Sequence, residues 1–244
     1  MSRVLVIGAT GGIGRAVAEH LRAQGHQVLL SARTEDRLQA LAAVLGCASR
    51  TVDTRDAVQT EALLTWANDE ALHGGPLDGV VHAVGSILLK PVHRTSDKDW
   101  SDTILQNLTT AFHVTRAATP LLANQGGALV LFSTAAARLG LPNHEAITAA
   151  KAGVEGLARS AAATWAPRGV RVNVVAPGLV ETPLSAHLTR PGPSLDASLR
   201  MHPLGRIGQP VDVVPAVHTA LFTPWMTGQV LVVDGGLSGL KIPR

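Results

Sequence analysis

Apolar positions in this chain follow two periods in turn. Short runs rich in β-branched residues read as buried strands, and between them lie longer stretches whose apolar residues recur at helical spacing. The first run, Val4-Leu5-Val6-Ile7, enters Gly8-Ala9-Thr10-Gly11-Gly12-Ile13-Gly14, after which Ala16, Val17, Ala18 and Leu21 mark a helix. Further strands are expected over 27–32, 49–52, 77–83, 128–132, 170–175 and 230–233. Helices are expected from a Thr34 cap to Leu45, over about 56–72, and over about 97–123 with Asn107 inside. Two more are expected over 145–165, behind an Asn143 cap, and over 210–222. The proline-broken segment at about 183–209 shows only patchy helical spacing and reads as a mobile lid over a pocket. Alternating strands and helices imply an α/β fold with a parallel, doubly wound sheet. Ligands of such sheets bind at the carboxyl ends of the strands.

Composition narrows this picture. The 244 residues contain no linker, repeat or low-complexity stretch, which favours one domain. The chain is 46% hydrophobic but only 3% aromatic, so its core is built from Ala, Val and Leu. A net charge of +3 comes from scattered Lys and Arg with no basic, aromatic-interleaved run, which argues against a nucleic-acid partner. One cysteine, Cys47, excludes an internal disulfide and fits a reducing compartment. No stretch approaches the ~18 apolar residues of a membrane span, and the first apolar run reads as a strand rather than a signal peptide. A cytoplasmic protein without a membrane partner is expected. The ten histidines show no paired metal spacing, so no metal site is expected. Asn107-Leu108-Thr109 matches a glycosylation pattern that a cytosolic location leaves idle.

The candidate chemistry starts at Gly8-x-x-x-Gly12-x-Gly14. Glycines at a strand-to-helix turn let the backbone approach a pyrophosphate, and the helix N-terminus holds the anion. A dinucleotide cofactor is therefore expected. At the end of the second strand, a carboxylate would bind the ribose hydroxyl of NAD and an arginine the phosphate of NADP. This chain has Ala32-Arg33 there and no carboxylate before Glu35, which favours NADP over NAD.

These residues resemble the short-chain dehydrogenase/reductase family over essentially the whole chain. Gly8, Gly12 and Gly14 have its spacing. Arg171-Val172-Asn173-Val174-Val175-Ala176-Pro177-Gly178, with Thr182-Pro183, resembles its nicotinamide-side loop. Thr227-Gly228-Gln229 and Val233-Asp234-Gly235-Gly236 resemble its C-terminal ending. The resemblance implies a single Rossmann-type domain with seven strands in the order 3-2-1-4-5-6-7, and a homotetramer or dimer built on the two long helices. It also implies a cofactor site of Gly8, Thr10, Gly12, Ile13, Gly14 and Arg33, with Asp53 at the adenine. Ala83 and Gly85 would line the adenosine side, Lys151 would contact the nicotinamide ribose, and Pro177, Gly178, Val180 and Thr182 would surround the carboxamide.

The chain departs from the family at several places. Ile7 stands where Thr is usual, and His82-Ala83-Val84-Gly85 replaces Asn-Asn-Ala-Gly. In the catalytic set of Asn, Ser, Tyr and Lys, Asn107 and Lys151 match, and Thr134 keeps the hydroxyl of the Ser. Ile147 occupies the Tyr position, and the chain has no tyrosine at all. Isoleucine cannot move a proton, and losing a general acid typically costs on the order of 10² to 10⁴ in rate.

Three functions stay open. An atypical reductase of a small carbonyl or alcohol substrate could use His144, two helical turns before Lys151, as a neutral imidazole polarising the carbonyl. Thr148 could share that face, or His144 could simply be an exposed first-turn histidine. A pseudoenzyme could instead bind NADP(H) as a structural or sensing ligand, and an assembly partner would hold it incidentally. His82 could touch adenine or ribose or pack at its strand end, and His187 and His202 in the lid could meet substrate.

Overall fold

The computed structural model describes residues 1–241. Seven strands form one parallel sheet: β1 (Arg3–Ile7), β2 (Gln27–Ala32), β3 (Ser49–Thr51), β4 (Gly79–His82), β5 (Gly127–Phe132), β6 (Val170–Pro177) and β7 (Val230–Val233). Their order is β3-β2-β1-β4-β5-β6-β7, as expected. The helices are α1 (Gly12–Ala23), α2 (Glu35–Leu45), α3 (Ala57–Ala67), α4 (Glu70–His73), α5 (Asp97–Ile104), α6 (Thr110–Leu122) and α7 (Glu145–Trp165). They continue with α8 (Ala186–Thr189), α9 (Pro193–Met201) and α10 (Pro210–Phe222). The strand order reverses between β1 and β4, and a crevice opens there at the carboxyl ends.

Successive strand residues face opposite sides of a sheet, and both faces here are covered. Val4, Val6, Val28, Leu30, Val81 and Val130 pack with α1, α2 and α10 through Val17, Leu38 and Val217. Leu5, Ile7, Leu29, Val80, Leu129 and Leu131 pack with α3, α6 and α7 through Leu63, Val114 and Val154. The strands therefore read as unbroken apolar runs rather than alternating ones.

Three boundaries differ from the sequence expectation. The helix expected over about 56–72 is two helices. Asp56 caps α3 by accepting the N–H groups of Val58 and Gln59, and Asp69 caps α4 by accepting that of Leu72. An aspartate after Asn68 offers the backbone a new start, which ends the first helix. The helix expected over about 97–123 is α5 and α6 joined by a π-helical stretch, Leu105–Thr109, centred on Asn107. The segment expected to be a lid contains two short helices, α8 and α9.

Two caps also need correction. Thr34 stands at the N-cap of α2 without a side-chain cap bond. Asn143 does not cap α7: it adopts a φ of 63°, and His144 is the N-cap residue, again without a side-chain bond. The turn into α7 spends its asparagine on left-handed backbone, which that residue tolerates better than most.

Candidate active site

The glycine loop is close-packed at its three key glycines. Gly8 has a φ of 83°, and a Cβ there would lie 2.6 Å from the Ala83 carbonyl oxygen. A Cβ on Gly14 would overlap the Gly8 carbonyl oxygen, and one on Gly12 would lie 2.7 Å from Cγ2 of Thr182. Gly8 and Ala9 donate their N–H groups to the Ser31 carbonyl on β2 at 2.8 and 3.0 Å. Gly11 is the N-cap of α1 and has no side chain to fill it. The N–H groups of Gly12, Ile13 and Gly14 consequently find no acceptor among the described residues. Free amides at the positive end of a helix form an anion cradle, so the loop fits a dinucleotide pyrophosphate. Thr10 lies half-buried within it.

Arg33 and Asp53 meet at the carboxyl ends of neighbouring strands, because Ala32 pairs with Thr51 across β2 and β3. Arg33 is exposed and makes no ion pair with the described residues. Asp53 is engaged: the Arg55 Nε donates to its two oxygens at 3.0 and 2.9 Å, and the Arg55 backbone N–H adds a third bond. The Arg55 guanidinium holds the Asp53 carboxyl below the usual carboxylate range. Sequence reasoning missed Arg55, although Asp-x-Arg at a strand end is a readable signal.

Beyond the loop lies a cavity of about 520 Å³. It brings together Ile13, Ala83, Gly85, Asn107, Thr134, His144, Ile147, Lys151, Pro177, Gly178, Val180 and Thr182 from every part of the chain. Asn107 is held at the π-helical stretch: its Oδ1 accepts the Ser86 N–H at 3.0 Å, and its Nδ2 donates to Ser86 Oγ at 2.9 Å and Thr103 O at 3.0 Å. Such bulges recur at functional sites because they re-aim one side chain. Ser86 was not anticipated from sequence. Lys151 is 7% exposed, and its Nζ donates to the Phe132 carbonyl at 3.0 Å. Desolvation lowers its pKa to about 8. A Cβ on Gly85 would lie 3.0 Å from the Asn107 Oδ1 and 3.3 Å from the Lys151 Nζ, so glycine admits both groups.

Thr134 Oγ1 donates to the Pro177 carbonyl at 3.4 Å and accepts the Ala136 N–H at 3.3 Å. Its neighbour Ser133 donates to Glu155 Oε1 at 2.9 Å, and Arg138 pairs with the same buried carboxylate at 3.2 Å. This network ties the turn after β5 to α7, and nothing in the sequence pattern pointed to it. Thr148 turns away, donating to the Ala136 carbonyl at 3.4 Å, and does not line the cavity.

The expected role of His144 is revised. Its Nδ1 lies 2.7 Å from the Pro142 carbonyl oxygen, which can only accept, so Nδ1 carries a proton. The neutral ring then presents Nε2 as an acceptor. Only the imidazolium could donate to a substrate oxygen.

His82 packs at its strand end, 2% exposed, with Ile7 and Leu131 as its register neighbours. Desolvation, with a contribution from the Lys151 charge, lowers its pKa to about 3. His202 lines the cavity and His187 does not. Among the described residues no group of three or more His, Cys, Asp or Glu side chains could hold a metal ion, and no helix is long and apolar enough to cross a membrane.

Fold, loop and cavity together define a dinucleotide-dependent oxidoreductase architecture. A family model described as enoyl-(acyl carrier protein) reductase matches residues 8–238, and the chain belongs to the short-chain dehydrogenase/reductase family. It is 33% identical to carbonyl reductase family member 4 of Danio rerio, covering 97% of this chain and 98% of that protein. It is also 33% identical to the 3-oxoacyl-(acyl-carrier-protein) reductase of Rattus norvegicus, covering 95% and 96%. A short-chain type dehydrogenase/reductase from Mycobacterium ulcerans superposes with a TM-score of 0.92 at 29% identity, covering 97% of this chain and 90% of that one. The family uses NAD or NADP.

Proposed function

We propose that this protein is an atypical NADP(H)-dependent reductase or dehydrogenase of a small carbonyl or alcohol substrate. The observation that carries this is the convergence of Asn107, Thr134, His144 and Lys151 on one cavity continuous with the glycine loop. A nicotinamide bound in that cleft would supply or accept the hydride. Thr134 Oγ1 would donate to the substrate oxygen by giving up its long 3.4 Å bond to the Pro177 carbonyl. The Lys151 ammonium is the buried cation that favours negative charge developing there. Asn107, pinned by Ser86, orders the floor beside Lys151. His144 is the candidate proton donor in its imidazolium form, and Ile147, 5% exposed, fills the wall where the family has its phenol. On the same family footing, a homodimer or homotetramer is the assembly we expect, and the free Cys47 suits the reducing cytoplasm.

Cofactor choice tests the first half of the proposal. Arg33, without an ion pair among the described residues at the end of β2, is expected to make NADPH bind at least about tenfold tighter than NADH, as a charge-assisted phosphate contact allows. Arg33→Ala should erase that preference. Equal affinities in the unsubstituted protein, measured by fluorescence titration, would remove the NADP assignment.

Turnover tests the second half. Reduction is expected to slow as pH rises through about 8, where Lys151 loses its proton. His144→Ala should lower kcat by about 10² or more if the imidazolium is the donor, with NADPH affinity unchanged. Unchanged kcat would dismiss His144. The buried Ile147 and the occupied His144 Nδ1 favour one second reading, a protein that binds NADP(H) without turning over. Tight NADPH binding with no reduction across a broad carbonyl panel would establish it.

A further inference from the structure

Charge is nearly absent from the cavity wall. Among the described residues that line it there is no Asp, Glu or Arg, and the only lysine is Lys151, whose Nζ already bonds the Phe132 carbonyl. Of the two histidines, His202 supplies no free charge. His202 donates from Nδ1 to the Ser198 carbonyl at 2.6 Å and accepts the Leu179 N–H at Nε2, so both its nitrogens are spent and the ring is neutral. His144 has its Nδ1 on the Pro142 carbonyl. Two hydroxyls are spent on backbone as well, Ser185 Oγ donating to the Val180 carbonyl at 2.5 Å and Ser198 Oγ, on α9, to the Ser194 carbonyl at 3.0 Å.

What remains is apolar, and it continues outward. Ile147 and Leu141 form the inner wall, and Leu89, Leu184 and Met201 stand at the mouth. These three come from different parts of the chain: the loop after β4, the segment after β6, and α9. Each keeps more than a third of its surface exposed, at 36%, 49% and 38%. Large apolar side chains converging from three segments on one opening mark a binding mouth rather than scattered surface. The cavity's size is that of a small-molecule site, and its hydrophobic walls with a few polar groups at the floor match one.

We propose that the substrate is an uncharged carbonyl compound on an apolar carbon skeleton, its oxygen at Thr134 and its chain leaving between Leu89, Leu184 and Met201. This rests on the oxidoreductase reading for the role of the oxygen, whereas the selection of uncharged, apolar ligands is a property of the wall. A carboxylate or ammonium drawn against the apolar wall, at the end of the chain away from Lys151, would lose its hydration with no partner to replace it.

A matched pair tests the selection: a medium-chain methyl ketone, and the same ketone carrying a carboxylate at the far end of its chain. Calorimetry on the NADPH-saturated protein is expected to show the neutral ketone binding at least about tenfold tighter, the cost of leaving a charge without a partner. Leu184→Glu, at an exposed position that tolerates a polar residue, should weaken the neutral ketone by about tenfold, and Leu184→Lys should recover binding of the carboxylate. Equal binding of the pair, preference for the carboxylate, or no binding of either overturns the inference. NADPH consumption is followed in parallel. A ketone that binds selectively but is not reduced keeps the substrate class and overturns the reductase reading instead.

Discussion

Gly14→Ala is expected to destabilise the protein by about 2–3 kcal/mol and to weaken NADPH binding by at least about tenfold. The added methyl would overlap the Gly8 carbonyl oxygen and come within 2.9 Å of the Gly8 carbonyl carbon. Both are backbone atoms of the turn, so no side chain can rotate away. Relief requires α1 to move off β1, which carries the free N–H groups of Gly12, Ile13 and Gly14 out of register with an anion. Gly25→Ala is the control. Gly25 also has a positive φ, 82°, but a Cβ there meets nothing within 4 Å. Its cost should be about 1 kcal/mol of backbone strain, with cofactor affinity unchanged. Chemical denaturation and NADPH titration of the two variants separate close packing from backbone conformation. Equal losses in both would mean that the contact at Gly14 carries no weight of its own.

His82→Leu is expected to remove much of the acid sensitivity of the fold. The His82 ring is neutral in the folded protein because burial holds its pKa to about 3, against an ordinary value of 6.5 when unfolded. Between those values the unfolded chain binds a proton that the folded chain does not. Stability from this group is therefore complete above pH ~6.5 and is lost as pH falls towards ~3. At about 1.4 kcal/mol per pH unit, the loss amounts to about 2 kcal/mol by pH 5. His26, His73 and His218, also lowered chiefly by burial, act in the same direction, so some acid sensitivity should persist in the variant. Leucine suits the site, since His82 sits among Ile7 and Leu131 and its Nε2 has no hydrogen-bond partner among the described residues. Denaturation midpoints of both proteins at neutral pH and near pH 5 give the answer. Parallel losses would show that His82 becomes protonated within the folded state.

Much of the fold was legible because burial of a two-faced sheet writes itself into local sequence. Helix α7 and α10 and strand β7 fall where the spacing of apolar residues placed them. The misjudged boundaries share a cause: hydrophobic period registers which face is buried, not where a backbone hydrogen bond changes partner. Asp69 restarts a helix with its own carboxylate, and the π-helical stretch around Asn107 keeps an apolar face while shifting the ladder.

At the candidate site, the glycine spacing at a strand-to-helix turn was enough to nominate Gly8, Gly12 and Gly14, whereas Asn107, Thr134 and Lys151 were nominated by the resemblance to the family's catalytic set. Their partners were not readable. Ser86 on Asn107, Arg55 on Asp53, Glu155 on Ser133 and Pro142 on His144 are decided by side-chain positions and tautomers to within a few tenths of an ångström. The same holds for the scarcity of charge along the cavity wall, where Lys151 is the only Lys, Arg, Asp or Glu among the described residues and the lining comes from segments far apart in the chain. Sequence by itself determined the doubly wound sheet, the anion-binding turn and the absence of a phenol, all of which follow from local residue chemistry and period. Only the tertiary structure decided that the neutral His144 ring presents an acceptor, that His82 is a buried neutral base, and that no Asp, Glu or Arg lines the cavity among the described residues, because each depends on which distant groups a side chain finally faces.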